Sequence, residues 1–347
     1  MILKYLITAL LALSALQSLA QQESQFANVA NNPFYVNPAA AGLYDVMQFE
    51  ATYRSQWMGY NGGPRTMMFM GNSQIGGKSK KALKEFNIKD ESFFGLPERS
   101  TGSIKHIVGG KMMNDAIGPF ARTSVHGSYA IHLPFVSSFN FGAGLGIGWS
   151  NFKVDESRVL LHQTDDVSYS QFLGNTSTQN MLDVNAGLVF YNDVFFMGLS
   201  TTQALNNKLR FDAVDTESAH VRHYYVVSKY KFNLGSVALE PSITGKLAPK
   251  GPVSIDLGTR LIINNSTWLG IQYRTSNALI FQVGSTIIKN LYVGYSYEQA
   301  IGSIKTVNNG SHEIQLGLLI GNNRNIDKEI KESKAEDDTQ TIEKVEN

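Results

Sequence analysis

The chain has 347 residues, no cysteine, 17% charged residues and a formal net charge of +1. Without cysteine there is no disulfide framework and no thiolate site. The near-neutral balance excludes the basic footprint of a nucleic-acid binder, and the length suits one large barrel or two ordinary soluble domains.

Residues 1–20 carry one positive charge, Lys4, then an apolar run over 5–16, then Ser18-Leu19-Ala20. Small residues at the first and third of those last positions mark a secretory signal, with cleavage expected after Ala20 and Gln21 left first. The apolar run is too short to cross a bilayer comfortably as an anchor. No later segment offers the long apolar run of a membrane helix, which leaves a soluble exported protein or a barrel. Barrels escape hydropathy analysis because only every second residue faces lipid. A content of 31 Gly, 15 Tyr and 19 Phe fits the barrel.

Residues 21–46 are polar and contain Asn-Pro twice, at Asn32-Pro33 and Asn37-Pro38. Proline restricts itself and the residue before it, so an ordered but irregular, plug-like segment is expected, placed on the periplasmic side. From Met47 the period becomes two. Phe49, Ala51, Tyr53 and Trp57 fall on one face; Gln48, Glu50, Thr52, Arg54 and Gln56 fall on the other. The same alternation predicts strands over 47–57, 65–74, 104–113, 119–133, 139–152, 182–191, 195–204, 220–232, 236–247, 253–263, 266–274, 278–287, 290–298 and 311–320. Lengths near ten residues suit tilted strands crossing a membrane. The fold expected is therefore all-β: a single antiparallel transmembrane barrel of about fourteen strands over 47–320, the strand number being free to vary in such barrels.

The connections supply a second test. Outer-membrane barrels have short periplasmic turns and longer outer loops. From a periplasmic start, short turns should follow even-numbered strands, and 192–194, 233–235, 264–265 and 288–289 do so. Longer stretches, 153–181, 205–219 and 299–310, follow odd-numbered ones. Residues 75–103 break this rhythm as a long charged insertion. The tail, 321–347, is charged, free of aromatic residues and expected to be disordered on its own in the periplasm.

The inward face carries Glu50, Asp183, Glu240, Asp256, Glu298 and Glu313 together with Arg54, Lys246, Arg260 and Arg274. These charges cannot face lipid. They imply either a solute channel or a polar interior closed by ion pairs, loops or the N-terminal segment, and the presence of both signs favours the closed interior. Trp57, Trp149 and Trp268 are expected in interfacial girdles. Little points to chemistry. His220 and His223 would lie on opposite faces of a strand, which argues against a metal pair. His162, Asp165 and Asp166 form an acidic loop with weak cation-binding character. The glycines at 142, 144, 146 and 148 lie within a strand, where close packing is the simpler reading than a phosphate loop. His126 and His132 face inward, and no nucleophile elbow is present. No enzyme activity, cofactor or metal is expected.

Several stretches in order resemble the PorP/SprF family of Bacteroidota outer-membrane barrels. They are Gln25-Phe26 with Asn32-Pro33-Phe34-Tyr35-Val36-Asn37-Pro38-Ala39-Ala40-Ala41-Gly42; Tyr53-Arg54-Ser55-Gln56-Trp57-Met58-Gly59-Tyr60 running on to Gly63-Pro64-Arg65-Thr66; Asn114-Asp115-Ala116-Ile117-Gly118-Pro119 followed by Tyr129-Ala130-Ile131-His132; and Gly198-Leu199-Ser200. The resemblance implies a role in type IX secretion and gliding motility, with a large exported adhesin as partner at the outer face. It also implies contacts with periplasmic secretion components, here assigned to 75–103 and 321–347, where the chain departs from the family pattern. Asn37, Pro38, Gly42, Arg54 and Trp57 are expected to order the N-terminal segment against the first strand. Gln56, Asn114, Asp115, Gly118 and Pro119 complete the motif set. A structural role suits these residues at least as well as partner binding.

Overall fold

A computed structural model describes residues 24–44, 46–75, 104–135, 139–155, 158–159, 178–205, 207, 221–249, 251, 253–288, 290–301, 305 and 308–320. The expected insertion, the acidic loop at 162–166, His220, the signal and the tail lie outside the described residues, as do most of 153–181 and 205–219.

The strands are β1 (Met47–Ser55), β2 (Arg65–Ile75), β3 (Lys105–Ile117), β4 (Phe120–Pro134), β5 (Asn140–Val154), β6 (Thr178–Tyr191), β7 (Phe195–Thr202), β8 (His223–Tyr230), β9 (Phe232–Leu234), β10 (Val237–Leu247), β11 (Ser254–Ile263), β12 (Thr267–Arg274), β13 (Ala278–Ile288), β14 (Leu291–Ala300) and β15 (Ser311–Ile320). β8 and β9 are consecutive pieces that both pair with β10, so they share one place in the wall. The order therefore counts fourteen places, each antiparallel to its neighbours, and β1 pairs with β15 to close the ring. Closure leaves no free edge, and the strand backbone groups inside the lipid find partners in the next strand. Among the described residues no helix is long and apolar enough to cross a membrane; the strands make the crossing.

The predicted strands all form, with ends shifted by a few residues. β1 stops at Ser55 rather than 57, because Trp57 turns out of the strand with a φ of 53°. β3, β5 and β6 run longer than expected, β4 is shifted by one residue, and these four, at 13 to 15 residues, form the tall side of the wall. The tight turns follow local chemistry. Asn264 and Asn265 take φ of 48° and 50°, the left-handed pair a two-residue hairpin turn requires. Exposed apolar side chains such as Phe69, Leu145, Ile147, Leu182 and Leu257 cover the outside.

The lumen is occupied. A fourteen-stranded ring is too wide for its own side chains to fill, unlike an eight-stranded one. Residues 24–44 enter that space, and nearly all of them are buried. Phe26, Val29, Phe34, Tyr35, Val36 and Leu43 pack with wall residues Met68, Met70, Ile107, Val189, Phe196 and Tyr225. The segment has a direction. Ser24 lies beside Lys246, Ser254 and Asp256, near the ends of β10 and β11 that face the long loops. Gly42 lies beside Asn72 and Ile107, towards the short-turn end where β1 begins.

Candidate functional site

The two Asn-Pro pairs build the segment locally. Each asparagine caps a three-residue 3-10 turn whose first residue is its proline, Pro33–Tyr35 and Pro38–Ala40. Asn32 Oδ1 accepts from the Phe34 N–H at 3.3 Å, and Asn37 Oδ1 accepts from the Ala39 N–H at 2.9 Å. Proline at that position loses nothing, since its missing N–H would have been unpaired in any case. Gly42 ends the segment with a φ of 68°, and a Cβ there would stand 2.5 Å from Ile107 Cγ1.

The segment then docks on several strands rather than on the first strand alone. Asn37 Nδ2 donates to the Leu188 and Leu199 carbonyls, at 3.1 and 3.3 Å, on β6 and β7. Pro38 and Ala39 lie on Gly144 of β5. The Ala39 carbonyl accepts from His132 Nε2 at 2.8 Å, which leaves His132 Nδ1 to accept from the Tyr191 hydroxyl at 2.8 Å. The Gly42 N–H donates to Asn72 on β2 at 2.9 Å. On β1, Glu50 accepts from Asn32, Tyr35 and Tyr292. The glycines at 142, 144 and 148 press on His132, Ala39 and His126 respectively, so the run serves close packing.

All ten charges expected inside are inside, and most of them join paired networks. In one, Arg274 makes a bidentate pair with Asp256 at 2.9 and 2.9 Å and reaches Glu298 at 2.8 Å. Arg54 holds Glu298 at 2.9 Å and Glu313 at 3.2 Å. Three carboxylates face two guanidiniums, and the N-terminal segment supplies the remaining donors. The Ala27 N–H meets Glu313 Oε2 at 2.8 Å, and Asn28 Nδ2 meets Oε1 at 2.7 Å. Gln282 and Arg274 bind the Ala27 and Phe26 carbonyls in return. In the second network Glu240 holds Arg260 at 2.6 Å, with Lys229 at 3.8 Å.

The remaining motif residues gather at the rim on the long-loop side. The Gln56 N–H donates to the Pro64 carbonyl at 2.8 Å, closing the β1–β2 loop. The Trp57 N–H reaches Ser311 Oγ at 3.3 Å, and its ring meets Tyr60 edge-on. The Gly118 N–H bonds the Gly62 carbonyl at 3.0 Å, and the Pro119 carbonyl accepts from the Asp155 N–H at 2.7 Å. Asp115 accepts from Thr66 at 2.5 Å, while Asn114 faces outward and donates to Thr123 at 2.8 Å. The motif residues thus form a lumen set and a rim set, joined through Arg54 and β1.

Two expectations change. Trp57 lies in a loop rather than on a strand end. Trp268 faces the lumen, 2% exposed, not the lipid interface; Gly284 and Gly294 leave the room its indole fills. His223 is buried against Gln203. Sequence reading also passed over Lys111, Arg122 and Lys229, all on inward positions whose strand phase could have located them. Among the described residues no group of three or more His, Asp or Glu is placed to hold a metal ion.

Several solved outer-membrane proteins share part of this architecture at low identity. Omp33 of Acinetobacter baumannii is 11% identical, covers 80% of this chain and 98% of its own, and has a TM-score of 0.40. The Pseudomonas putida toluene transporter TodX is 10% identical, with 88% and 96% covered and a TM-score of 0.43. The monoaromatic hydrocarbon channel CymD is 9% identical, with 84% and 92% covered and a TM-score of 0.46. No curated protein matches the sequence. A family model described as type IX secretion system membrane protein PorP/SprF matches residues 18–318, nearly the whole described barrel and its lumen segment. The chain belongs to the PorP/SprF family of type IX secretion system membrane proteins.

Proposed function

We propose that this barrel is a non-enzymatic part of the type IX pathway that supports secretion of a large exported protein, such as an adhesin, and its attachment at the cell surface. The observation that carries the reading is the filled lumen. A porin needs a wet path, whereas here an extended segment takes up the space and its polar groups are bonded to the wall. Most of the interior charges are paired with one another or with that segment, as an occupied barrel requires. The long outer loops 153–181 and 205–219 are the surfaces assigned to the partner, and 75–103 and 321–347 those assigned to periplasmic components. A signal over residues 1–20 delivers the chain to the outer membrane, which on this reading is that of a gliding member of the Bacteroidota.

Affinity purification of the tagged protein from outer membranes in mild detergent, followed by mass spectrometry, tests this. A very large secreted surface protein at near-stoichiometric yield is the expected companion. A lone barrel, from cells shown to export such proteins, returns the solute channel as the better reading.

The direction of the lumen segment gives a second expectation. Long loops face outward in barrels of this class, so Ser24 sits towards the outside and Val46 towards the periplasm. The chain has no cysteine, so single cysteines report cleanly. Ser24→Cys in intact cells should react with a membrane-impermeant maleimide at least tenfold faster than Val46→Cys. Equal rates, or the reverse order, would overturn that direction.

A further inference from the structure

Among the described residues four arginines line the lumen wall, and three are tightly held. Arg54, Arg260 and Arg274 each pair with a carboxylate at 2.6 to 2.9 Å. Arg122 differs. Among the described residues its ion pair, to Asp183, is 3.5 Å long, longer than those of the other three; its Nε has no partner, as is also true of Arg54 and Arg260. The neighbours are also incomplete. His126 Nε2 lies 3.1 Å from Asp183 Oδ2, while His126 Nδ1 and Asp183 Oδ1 are unpartnered. His126 and Asp183 are 6% and 2% exposed. Leaving buried polar atoms unpaired is costly, and here three of them, Arg122 Nε, His126 Nδ1 and Asp183 Oδ1, stand together.

These groups line one cavity of about 30 Å³, which Ser24, Phe26 and Lys111 also border. That is room for about two waters, or for the two oxygens of one carboxylate, and it is small for a phosphate. The Arg122 guanidinium, held to Asp183 only at 3.5 Å, faces this cavity and suits an anion. A guanidinium binds a planar carboxylate in the geometry that it binds best. Asp183 Oδ1 remains as an acceptor and suits an N–H carried close to that carboxylate. A carboxylate with an amide beside it is an acidic residue of a peptide. Arg122, Asp183 and Thr202 lie near the ends of β4, β6 and β7 that face the long loops, so the approach is from that mouth.

We propose that Arg122, His126 and Asp183 form a receptor site for an acidic side chain of a peptide offered from the long-loop mouth of the barrel. The site stands on the cavity and its unpaired groups, independently of the attachment reading, and is measured on the purified barrel alone. The probes are acetyl-Gly-Asp-Gly-amide, acetyl-Gly-Asn-Gly-amide and acetate, titrated by calorimetry. The Asp peptide should bind at least tenfold more tightly than the Asn peptide, and Arg122→Gln should remove that preference. Ser124 also lines the cavity, so Ser124→Leu, which fills it without changing charge, should remove the preference too and decides the matter if Arg122→Gln does not assemble. Equal binding of the two peptides, or preference retained in either variant, overturns the proposal. Acetate binding as tightly as the Asp peptide would reassign the site to free carboxylates and overturn its peptide part.

Discussion

Replacing Gly144 with valine is expected to open the lumen, while the same change at Gly127, on the adjacent strand, is expected to do nothing measurable. Both glycines are in strand positions of the wall, so both substitutions favour the strand slightly. What differs is the space. A Cβ on Gly144 would stand 2.5 Å from the Ala39 nitrogen, 2.6 Å from its Cα and 2.7 Å from the Pro38 carbonyl carbon. Those are backbone atoms of a capped turn and cannot swing aside. A Cβ on Gly127 meets nothing within 4 Å. The valine at 144 must therefore lift the Pro38–Ala40 turn off β5. The His132 bond to the Ala39 carbonyl and the Asn37 bonds to β6 and β7 depend on the same placement. Single-channel recording in planar bilayers is the measurement: at least a tenfold gain in conductance for G144V over the wild type, with G127V unchanged. Gly187→Val should behave as G144V does, since its Cβ would run into Asn37 Oδ1. A folded G144V barrel that conducts no better than wild type would show that the turn is not what closes the lumen.

Glu313→Ala should be the most destabilising single change in the lumen. Glu313 is fully buried and is the acceptor for three groups at once: Arg54, the Ala27 N–H and Asn28. Removing one partner of a buried pair leaves the other charge uncompensated, at a cost of about 3–5 kcal/mol. The two amide donors of the lumen segment add to that loss. Glu313→Gln keeps the shape and one acceptor oxygen, so it should cost less, about 1–3 kcal/mol for the weakened bonds. Urea unfolding of the refolded barrel in detergent, followed by the shift of heat-modifiable gel mobility, gives the order: wild type, then Gln, then Ala. Glu298 still faces Arg54 in either variant. A midpoint for E313A equal to wild type would therefore mean that Glu298 alone suffices for Arg54 and that the segment is held by its other contacts.

The strand count, the strand phases and the inward placement of all ten named charges were legible in the sequence, because the pleat alternates every residue and lipid excludes charge. The tight turns were legible for a similar reason: Asn264-Asn265 takes the left-handed conformation that asparagine tolerates. Even Trp268 was within reach, since the phase that puts Arg274 inside puts Trp268 inside as well; the tendency of tryptophan to sit at membrane interfaces pointed the wrong way. Period two gives a side chain its face and says nothing about its partner. The tertiary structure alone decided that Arg54 on β1 meets Glu313 on β15, 259 positions away, because that pairing exists only once the ring closes in its register. It also decided that residues 24–44 fill the lumen, running from the long-loop half down to the short-turn end. Two asparagine-capped turns are local features that would form in many settings. Their place inside depends on glycines from three different strands, 144, 187 and 198, standing together on one wall, and on a ring too wide for its own side chains to fill.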